Sequence, residues 1–428
     1  PRLFDRHIVL PTLLYEAVVE ADERLDAQGA VLQPLDADAL RAALQPVFDA
    51  GVRACAIVLL HGWRNPAHEL AAAEVARAIG FTQVSISHQV SPLIKLVPRG
   101  DTTVVDAYLS PILQRYVDRV ASQMPGVSLY FMQSSGGLTE AHRFQGKDAI
   151  LSGPAGGIVG MVRTALAAGH GKVIGFDMGG TSTDVSHYAG EFERAFDTQV
   201  AGVRMRAPMM AIHTVAAGGG SIISFDGARL RVGPESAGAN PGPAAYRRGG
   251  PLAVTDANVL LGRLQPAHFP ALFGADGQQP LDGTVVRQHF DALAARIARA
   301  TGTPTTAETV AAGALQIAVA SMANAIKRIS VARGYDVTGY TLQCFGGAGG
   351  QHACAVADAL GMQQVLIHPL AGVLSAYGMG LADQIAMREA SVELPLDDAG
   401  LHAARQRLAT LTDAAVAEVQ AQGVPAAR

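Results

Sequence analysis

The sequence is poor in cysteine, in aromatic side chains and in charge. Its 428 residues include three cysteines and one tryptophan, and only 16% of them are charged. So few cysteines exclude a disulfide-dense secreted scaffold and favour free thiols in a reducing cytosol, so we predict a cytoplasmic protein. A formal net charge of −4 offers no attraction to nucleic acid or to anionic lipid. We also find no apolar segment that we expect to be long enough to span a bilayer.

Apolar side chains and glycine are abundant. Hydrophobic residues make up 49% of the sequence, and 47 residues are glycine. This composition is typical of a well-packed globular protein, and the length predicts two or three lobes rather than one core. In the first third, apolar strand-like runs alternate with helical periodicity, as in a strand at 54–60 followed by a helix at 67–79. The alternation predicts an α/β fold with a mainly parallel sheet.

The most informative motif is the run at residues 177–184, which reads Asp-Met-Gly-Gly-Thr-Ser-Thr-Asp. Strand-forming residues lead into it and out of it, so we predict a hairpin with a tight glycine turn. Backbone N–H groups converge in such a turn, and no side chain blocks the approach of phosphate oxygens. We assign Gly179 and Gly180, with the hydroxyls of Thr181 and Thr183, to nucleotide phosphate binding. The alternative is a plain β-hairpin whose glycines only serve the turn.

An aspartate stands on either side of the glycine turn. Carboxylate oxygens are hard ligands that suit Mg²⁺, usually with water completing the coordination. We therefore assign Asp177 and Asp184 to metal positioning and to catalysis at the phosphates. Their alternative role is to cap the hairpin through Asx turns, for which one of them would be enough. His187, on the strand that follows, is interpreted as ordinary strand surface.

A second glycine loop, Gly346-Gly347-Ala348-Gly349-Gly350, follows a predicted strand at 341–345 and precedes a predicted helix at 351–360. Glycines at such a junction let the backbone approach a ligand next to the positive end of a helix. We assign all five residues to the nucleotide, together with Gly218 and Gly219 from another glycine-rich segment. A tight packing corner would have a similar sequence. Neither loop contains the Gly-Lys-Ser or Gly-Lys-Thr of a Walker motif.

His352 stands at the start of the helix predicted after the second loop. The positive helix N-terminus should lower its pKa and favour the neutral imidazole, which could polarise a substrate carbonyl. We therefore include His352 in the catalytic set, with a structural role at the helix start as the alternative. Asp256 is predicted to be a helix N-cap. Arg99, Arg206 and Arg231 are candidates for holding a substrate carboxylate, and the sequence does not rank them.

Two glycine loops in different structural settings predict ATP held between two lobes, as in the actin-like, ribonuclease-H-fold ATPases and sugar kinases. The segments 152–157, 175–187, 234–239 and 344–354 also closely resemble the hydantoinase A/oxoprolinase family, and the resemblance covers essentially the whole chain. It implies an actin-like α/β fold with a nucleotide cleft, ATP and Mg²⁺ as cofactors, and phosphorylation of the lactam oxygen of 5-oxo-L-proline. Water would then open the activated ring to L-glutamate.

The resemblance also implies how the chain is organised. Residues 1–150 would form an α/β domain belonging to part of the first lobe, 151–390 an actin-like ATPase domain, and 391–428 the start of a C-terminal region. Family members carry a further phosphate hairpin and a hydantoinase B-like half, so we expect that half as a partner and predict that this chain alone is inactive. We expect a homo-oligomer that acts on a small lactam and binds neither nucleic acid nor membrane.

Departures from the family pattern at Asp101, Ser135 and Ala245 leave the substrate open. One alternative is the ATP-using subunit of an N-methylhydantoinase or of a ketone carboxylase. A second alternative, of another class, is a non-catalytic module that binds nucleotide or supports assembly. A sugar kinase is a weaker third.

Overall fold

The computed structural model describes residues 6–7 and 12–425. Its helices, in chain order, are α1 (Ala37–Asp49), α2 (Ala67–Ile79), α3 (Ser87–Val90), α4 (Leu96–Gln123), α5 (Ser152–Ala167), α6 (Val254–Leu260), α7 (Gly283–Thr301), α8 (Ala307–Ile329), α9 (Ala353–Leu360), α10 (Leu374–Gly380) and α11 (Asp398–Ala421).

The strands, also in chain order, are β1 (Arg24–Leu25), β2 (Val31–Gln33), β3 (Ala54–Ile57), β4 (Gln83–Ile86), β5 (Tyr130–Met132), β6 (Leu138–Glu140), β7 (Val173–Met178), β8 (Thr183–Tyr188), β9 (Arg194–Ala195), β10 (Thr198–Val200), β11 (Val203–Met205), β12 (Met209–Met210), β13 (His213–Val215), β14 (Ser221–Phe225), β15 (Leu230–Ser236), β16 (Thr341–Phe345) and β17 (Gln364–Ile367).

The chain divides into two compact units, each assembled from separated stretches of sequence. The first comprises Pro1–Ala155, Arg194–Met210 and Ala382–Arg428, and the second comprises Gly156–Glu193 and Ala211–Leu381. The domain boundaries that we expected near residues 150 and 390 remain a prediction.

In the first unit, helices α1 and α2 pack with the parallel strand pair β3–β4. Leu40 and Leu44 of α1 and Ala73 and Ala76 of α2 are buried at helical spacing and share one core with Ile86 of β4. The helix predicted at 67–79 is observed there as α2 with the same bounds. The chain continues from this layer into the long helix α4, which also packs on β3 and β4.

The second unit is built on a five-stranded sheet with the order β13-β8-β7-β16-β17. Strand β7 pairs antiparallel with β8 and parallel with β16, and β16 pairs parallel with β17. This order, in which the second strand in sequence runs antiparallel to the first, is the topology of a ribonuclease-H-like lobe. Ile174, Phe176 and Met178 of β7 are fully buried and join the core of this unit.

Helix α8 belongs to the same core. Its apolar stripe, which includes Leu315, Met322 and Ile326, is buried. The segment Ala307–Arg333 is long and apolar enough to cross a membrane, since an 18-residue window of it has a mean hydropathy of 1.5, and half of that window is buried within the protein. Our expectation that no segment reaches this length and hydropathy is therefore wrong for α8, although the buried stripe is that of a core helix.

Candidate functional site

A hairpin of β7 and β8 carries the first motif. Asp177, near the end of β7, pairs across the ladder with Asp184, near the start of β8. The Gly179 N–H donates to the Ser182 carbonyl at 3.0 Å and closes the turn between the strands. The hairpin predicted at residues 177–184 is therefore present, with its two carboxylates at opposing positions next to the turn.

The second glycine loop lies beside this hairpin. Strand β16 runs parallel to β7, and its last residue, Phe345, pairs with Asp177. Beyond it, the Ala348 N–H donates to the Met178 carbonyl at 2.9 Å. Gly346 has a φ of +81°, and a Cβ on it would collide with the Asp177 carboxylate and the Met178 carbonyl. The pairing of β7 with β16 thus brings the two predicted loops to one edge of the sheet.

A third glycine segment, which includes the predicted Gly218 and Gly219, packs against the hairpin turn. The Gly219 N–H donates to the Gly179 carbonyl at 3.1 Å. A Cβ on Gly218 would lie 2.5 Å from the Thr181 carbonyl carbon and 2.6 Å from the Ser182 nitrogen. The structure therefore places Gly218 and Gly219 at the site, where they let one backbone segment approach another.

The glycines of the two loops fall into two groups. Gly346 and Gly349 are packed, since a Cβ on either would meet neighbouring atoms. Gly180, Gly347 and Gly350 face open space, with no heavy atom within 4 Å of an added Cβ, and none of the three has a positive φ. The fold does not require glycine at these three positions, so they leave bare backbone for a ligand to approach.

The hairpin turn also offers unused hydrogen-bond donors. The N–H groups of Gly180 and Thr181, and the Thr181 hydroxyl, have no acceptor within the part of the chain that the structure describes. Thr183 differs, because its buried hydroxyl donates to the Ala217 carbonyl at 2.5 Å. The turn is therefore available to an anion, whereas the Thr183 hydroxyl already has an internal acceptor. Its assignment to phosphate stays a prediction.

The two carboxylates repel each other. Burial and the neighbouring charge of Asp184 raise the pKa of Asp177 to about 6. Asp184 accepts a hydrogen bond from the Thr214 hydroxyl at 2.6 Å. No group of three or more His, Cys, Asp or Glu residues that could hold a metal occurs among the described residues. A divalent ion here would take the two carboxylates and complete its coordination with phosphate and water, as Mg²⁺ commonly does.

His352 lies just before α9 and is 1% exposed. Its Nε2 is 3.2 Å from the Asn258 side-chain nitrogen, whereas its Nδ1 and the Asn258 side-chain oxygen are buried with no partner in the described chain. Burial, with a smaller effect from the charge of Arg263, lowers the pKa of His352 to about 4. The lowered pKa favours the predicted neutral imidazole, and burial is the larger of its two causes. Its catalytic role stays a prediction.

Asp256 supports the site in a way that the sequence did not indicate. It is the third residue of α6 instead of the predicted N-cap, and it is fully buried. Its carboxylate accepts hydrogen bonds of 2.8–3.0 Å from the N–H groups of Ala244, Ala245 and Ala253. The adjacent Thr255 donates its N–H and its hydroxyl to the Gly219 carbonyl, at 2.8 and 2.9 Å. Asp256 therefore anchors the segment that holds the third glycine loop.

His187 was expected on the strand surface and is buried. Its Nδ1 lies 2.7 Å from the Glu193 carboxylate, and its Nε2 lies 3.0 Å from the Tyr340 hydroxyl. The Tyr335 ring packs on the imidazole with 4.2 Å between ring centroids. Because these partners are far apart in sequence or follow a turn, no local pattern marked His187 as a core residue.

The three candidate arginines lie in different surroundings. Arg99 is fully buried and donates to backbone carbonyls. Arg231 is exposed and pairs with Asp226 at 2.6 Å. Arg206 pairs with Asp197 at 3.2 Å and lines a pocket in the first unit. The pocket at Arg206 measures about 750 Å³, and Arg231 borders a smaller one of about 350 Å³.

The fold and the site together define a class. A ribonuclease-H-like sheet with a carboxylate-flanked glycine turn and a glycine-rich strand–helix corner at one edge is an actin-like α/β architecture. Residues 99–388 match the Hydantoinase/oxoprolinase family, and residues 1–80 match the Hydantoinase/oxoprolinase N-terminal region. The chain belongs to the hydantoinase/oxoprolinase family.

Individual relatives agree with this assignment. The chain is 43% identical to 5-oxoprolinase 1 of Arabidopsis thaliana over 90% of its own length and 33% of that protein. It therefore spans about a third of the length of such curated relatives.

Solved structures share the fold. The crystal structure of ATP-dependent caprolactamase from Pseudomonas jessenii matches with a TM-score of 0.81 and 33% identity, covering 95% of this chain and 59% of that one. The nucleotide-free structure of acetone carboxylase matches with a TM-score of 0.72 and 25% identity over the same shares. The predicted actin-like α/β fold class is confirmed.

Proposed function

We propose that this chain supplies the ATP-using part of a hydrolase that opens a cyclic amide, with 5-oxo-L-proline as substrate and L-glutamate as product. The observation that carries the proposal is the meeting of an opposed carboxylate pair and two glycine loops at one edge of a single sheet. The similarity to a protein named 5-oxoprolinase and to one named ATP-dependent caprolactamase supports the reaction class.

In this proposal the hairpin turn binds the phosphates. The free N–H groups of Gly180 and Thr181 donate to phosphate oxygens, and Gly179 leaves room for their approach. Asp177 and Asp184 would hold Mg²⁺, which would supply positive charge beside the phosphates. The site suits such an ion, because the two carboxylates oppose each other across the ladder and the charge of Asp184 adds to burial in raising the pKa of Asp177.

The second glycine loop binds the remainder of the nucleotide. Gly347 and Gly350 have open space where a side chain would stand, and Ala348 is fixed by its hydrogen bond to β7. Gly346 and Gly349 are packed against the sheet and hold the loop in place. The loop thereby presents bare backbone beside the start of a helix, a setting that favours a nucleotide.

The chemistry explains why ATP is needed. A lactam is resonance-stabilised and its amine is a poor leaving group. Attack of the lactam oxygen on the γ-phosphorus displaces ADP and forms an imidate phosphate. Water then opens the activated ring, the C–N bond breaks and inorganic phosphate leaves. The first step depends mainly on positioning and charge neutralisation, which the N–H groups of the turn and the metal-binding carboxylates are suited to provide.

The ring-opening step with water is assigned to a hydantoinase B-like half or subunit. A similar protein, 36% identical, is named caprolactamase subunit alpha, which supports a partner subunit in this family. We retain the sequence-based proposals of a cytoplasmic location and a homo-oligomer.

ATP turnover by the full-length gene product tests the function. With Mg²⁺ and 5-oxo-L-proline, we expect ADP and L-glutamate in equal amounts and only background ADP without a lactam. Caprolactam, hydantoin and acetone are supplied singly for comparison. If one of these compounds stimulates ATP turnover and 5-oxo-L-proline does not, that compound becomes the proposed substrate. If the protein binds nucleotide but turns over ATP with none of them, the non-catalytic module is favoured.

The open glycines give a second test. Gly180→Ala should weaken ATP binding by about tenfold or more without lowering the melting temperature, because its methyl group meets no protein atom and would occupy phosphate space. Gly218→Ala adds the same methyl group 2.5 Å from the Thr181 carbonyl carbon, so this matched control should lower the melting temperature. Calorimetric titration and thermal melting measure both effects. Unchanged ATP affinity in Gly180→Ala would remove the turn from the nucleotide site.

A further inference from the structure

The first unit contains a pocket of about 750 Å³, and none of the residues assigned to the phosphate site lines it. Three segments form its walls: residues 12–15, the start of α4 with the residue before it, and the β10–β11 hairpin. Its volume is within the range of sites that enclose small organic ligands. The pocket is therefore large enough for a molecule the size of an amino acid or a small lactam.

Charged side chains of both signs line this pocket. Lys95, Arg204 and Arg206 bring positive charge, and Asp101 and Asp197 bring negative charge. Arg206 is already occupied, because it pairs with Asp197 and donates to a backbone carbonyl at 2.7 Å. Lys95 and Arg204 have no side-chain hydrogen bond or ion pair with any described residue. Within the part of the chain that the structure describes, two cations are thus free to bind an anion.

Asp101 lies in the wall with these cations. Burial raises the pKa of Asp101, and the charge of Arg204 partly offsets that rise. Within the described chain, its carboxylate forms no hydrogen bond or ion pair, so it is free to accept a hydrogen bond from a ligand. The pocket therefore combines two unpaired cationic donors with one unpaired acceptor.

The remaining lining is largely apolar, and one backbone position is unusual. Leu14, Pro98, Val104 and Val203 contribute hydrocarbon surface. Lys95 has a φ of +79°, a conformation that few residues other than glycine adopt, directly before the first residue of α4. Such backbone positions concentrate at ligand sites, where the surrounding structure maintains them.

We infer that this pocket binds a small carboxylic acid that also carries an N–H group, with Arg204 and Lys95 holding the carboxylate and Asp101 accepting from the N–H. A guanidinium and an ammonium suit a carboxylate, and the apolar wall suits a short hydrocarbon ring. Among lactams, 5-oxo-L-proline has both groups, whereas caprolactam has only the N–H. The choice of 5-oxo-L-proline as probe rests on the proposed function, and the binding chemistry rests on the pocket alone.

Calorimetric titration of the full-length gene product with 5-oxo-L-proline, without nucleotide, tests the inference. Arg204→Gln and Lys95→Gln should each weaken binding by about tenfold or more. Arg299→Gln is the matched control, because this arginine is exposed on α7 and belongs to the second unit. 2-Pyrrolidinone, the same ring without the carboxylate, should bind the unmodified protein at least about tenfold more weakly than 5-oxo-L-proline. Thermal melting checks that each variant folds.

The same variants separate this inference from the proposed function. Affinity for a non-hydrolysable ATP analogue should be unchanged in Arg204→Gln and Lys95→Gln, because the phosphate site is built from other residues. If the protein binds 5-oxo-L-proline through this pocket but binds no nucleotide, the carboxylate site stands and the ATP proposal fails. Absence of 5-oxo-L-proline binding, equal binding of 2-pyrrolidinone, or unchanged affinity in both variants would overturn the carboxylate site.

Discussion

Asp177→Asn is expected to reduce lactam-dependent ATP cleavage by roughly 10³-fold and, at the same time, to raise the thermal stability of the protein. Loss of activity follows because a neutral amide is a poor metal ligand and removes one negative charge that positions Mg²⁺ beside the phosphates. Asparagine has nearly the same shape, so it fits the space that the missing Cβ of Gly346 leaves beside residue 177. ADP release with 5-oxo-L-proline measures the activity.

The stability gain follows from the sign of the pKa shift. The pKa of Asp177 is raised from 3.8 to about 6, first by burial and then by the charge of Asp184. The folded protein therefore binds this proton more tightly than the unfolded chain does. Stability is then greatest below about pH 4 and is lost as the pH rises through about 6. A neutral side chain avoids that loss, so at pH 7 we expect a gain of about 1–2 kcal/mol.

Melting curves without nucleotide or Mg²⁺, recorded from pH 4 to pH 7, test this relation. The gain in Asp177→Asn should be small at pH 4 and largest at pH 7. Asp358→Asn removes the same charge at an exposed position on α9 and serves as control. In the unmodified protein, Mg²⁺-dependent ATP binding should weaken below about pH 6 as Asp177 takes up its proton. Full turnover in Asp177→Asn, or a lower melting temperature at pH 7, would contradict the assignment.

The parts of the site that sequence could predict are those encoded locally. The hairpin at 177–184 combines strand-forming flanks with a glycine turn, so its residues alone define its shape. The loop at 346–350 is likewise marked by a strand before it and a helix after it. Their proximity depends on the parallel pairing of β7 with β16, which an α/β pattern favours without fixing the strand order.

The parts that sequence could not predict depend on contacts between distant segments. The hydroxyl of Thr183 has the same local setting as that of Thr181, yet it is buried because Ala217 packs beside it. His187 lies in a sequence pattern typical of a strand surface. It is nevertheless buried, and its Nε2 lies within hydrogen-bond distance of the hydroxyl of Tyr340, which is 153 residues away in sequence. Asp256 has the pattern of a helix cap, and two of its three donors come from a loop with no periodicity.

The loop that contains Ala244 and Ala245 is held by Asp256, and substitution of Asp256 is expected to have the second large effect, on stability. Asp256→Ala is expected to lower the free energy of unfolding by about 3 kcal/mol, because the buried N–H groups of Ala245 and Ala253 lose their acceptor and each costs about 1–3 kcal/mol when unsatisfied. The Ala244 N–H keeps a second acceptor, the Pro251 carbonyl at 3.0 Å. Removing a buried carboxylate offsets part of that cost. Burial raises the pKa of Asp256 to about 6 even though its N–H donors favour the charged form. Urea denaturation at pH 7 measures the loss.

Asp226→Ala is the matched control for Asp256→Ala. Asp226 also accepts from two backbone N–H groups, those of Ala228 and Arg229, but in an exposed turn where water can replace it. Its removal should cost much less. Because Thr255 next to Asp256 holds the Gly219 carbonyl, Asp256→Ala should also weaken ATP binding at temperatures where the protein remains folded. Equal destabilisation by the two substitutions would show that burial of the Asp256 hydrogen bonds adds nothing to their contribution to stability. Unchanged ATP affinity in Asp256→Ala would show that these hydrogen bonds do not support the hairpin turn.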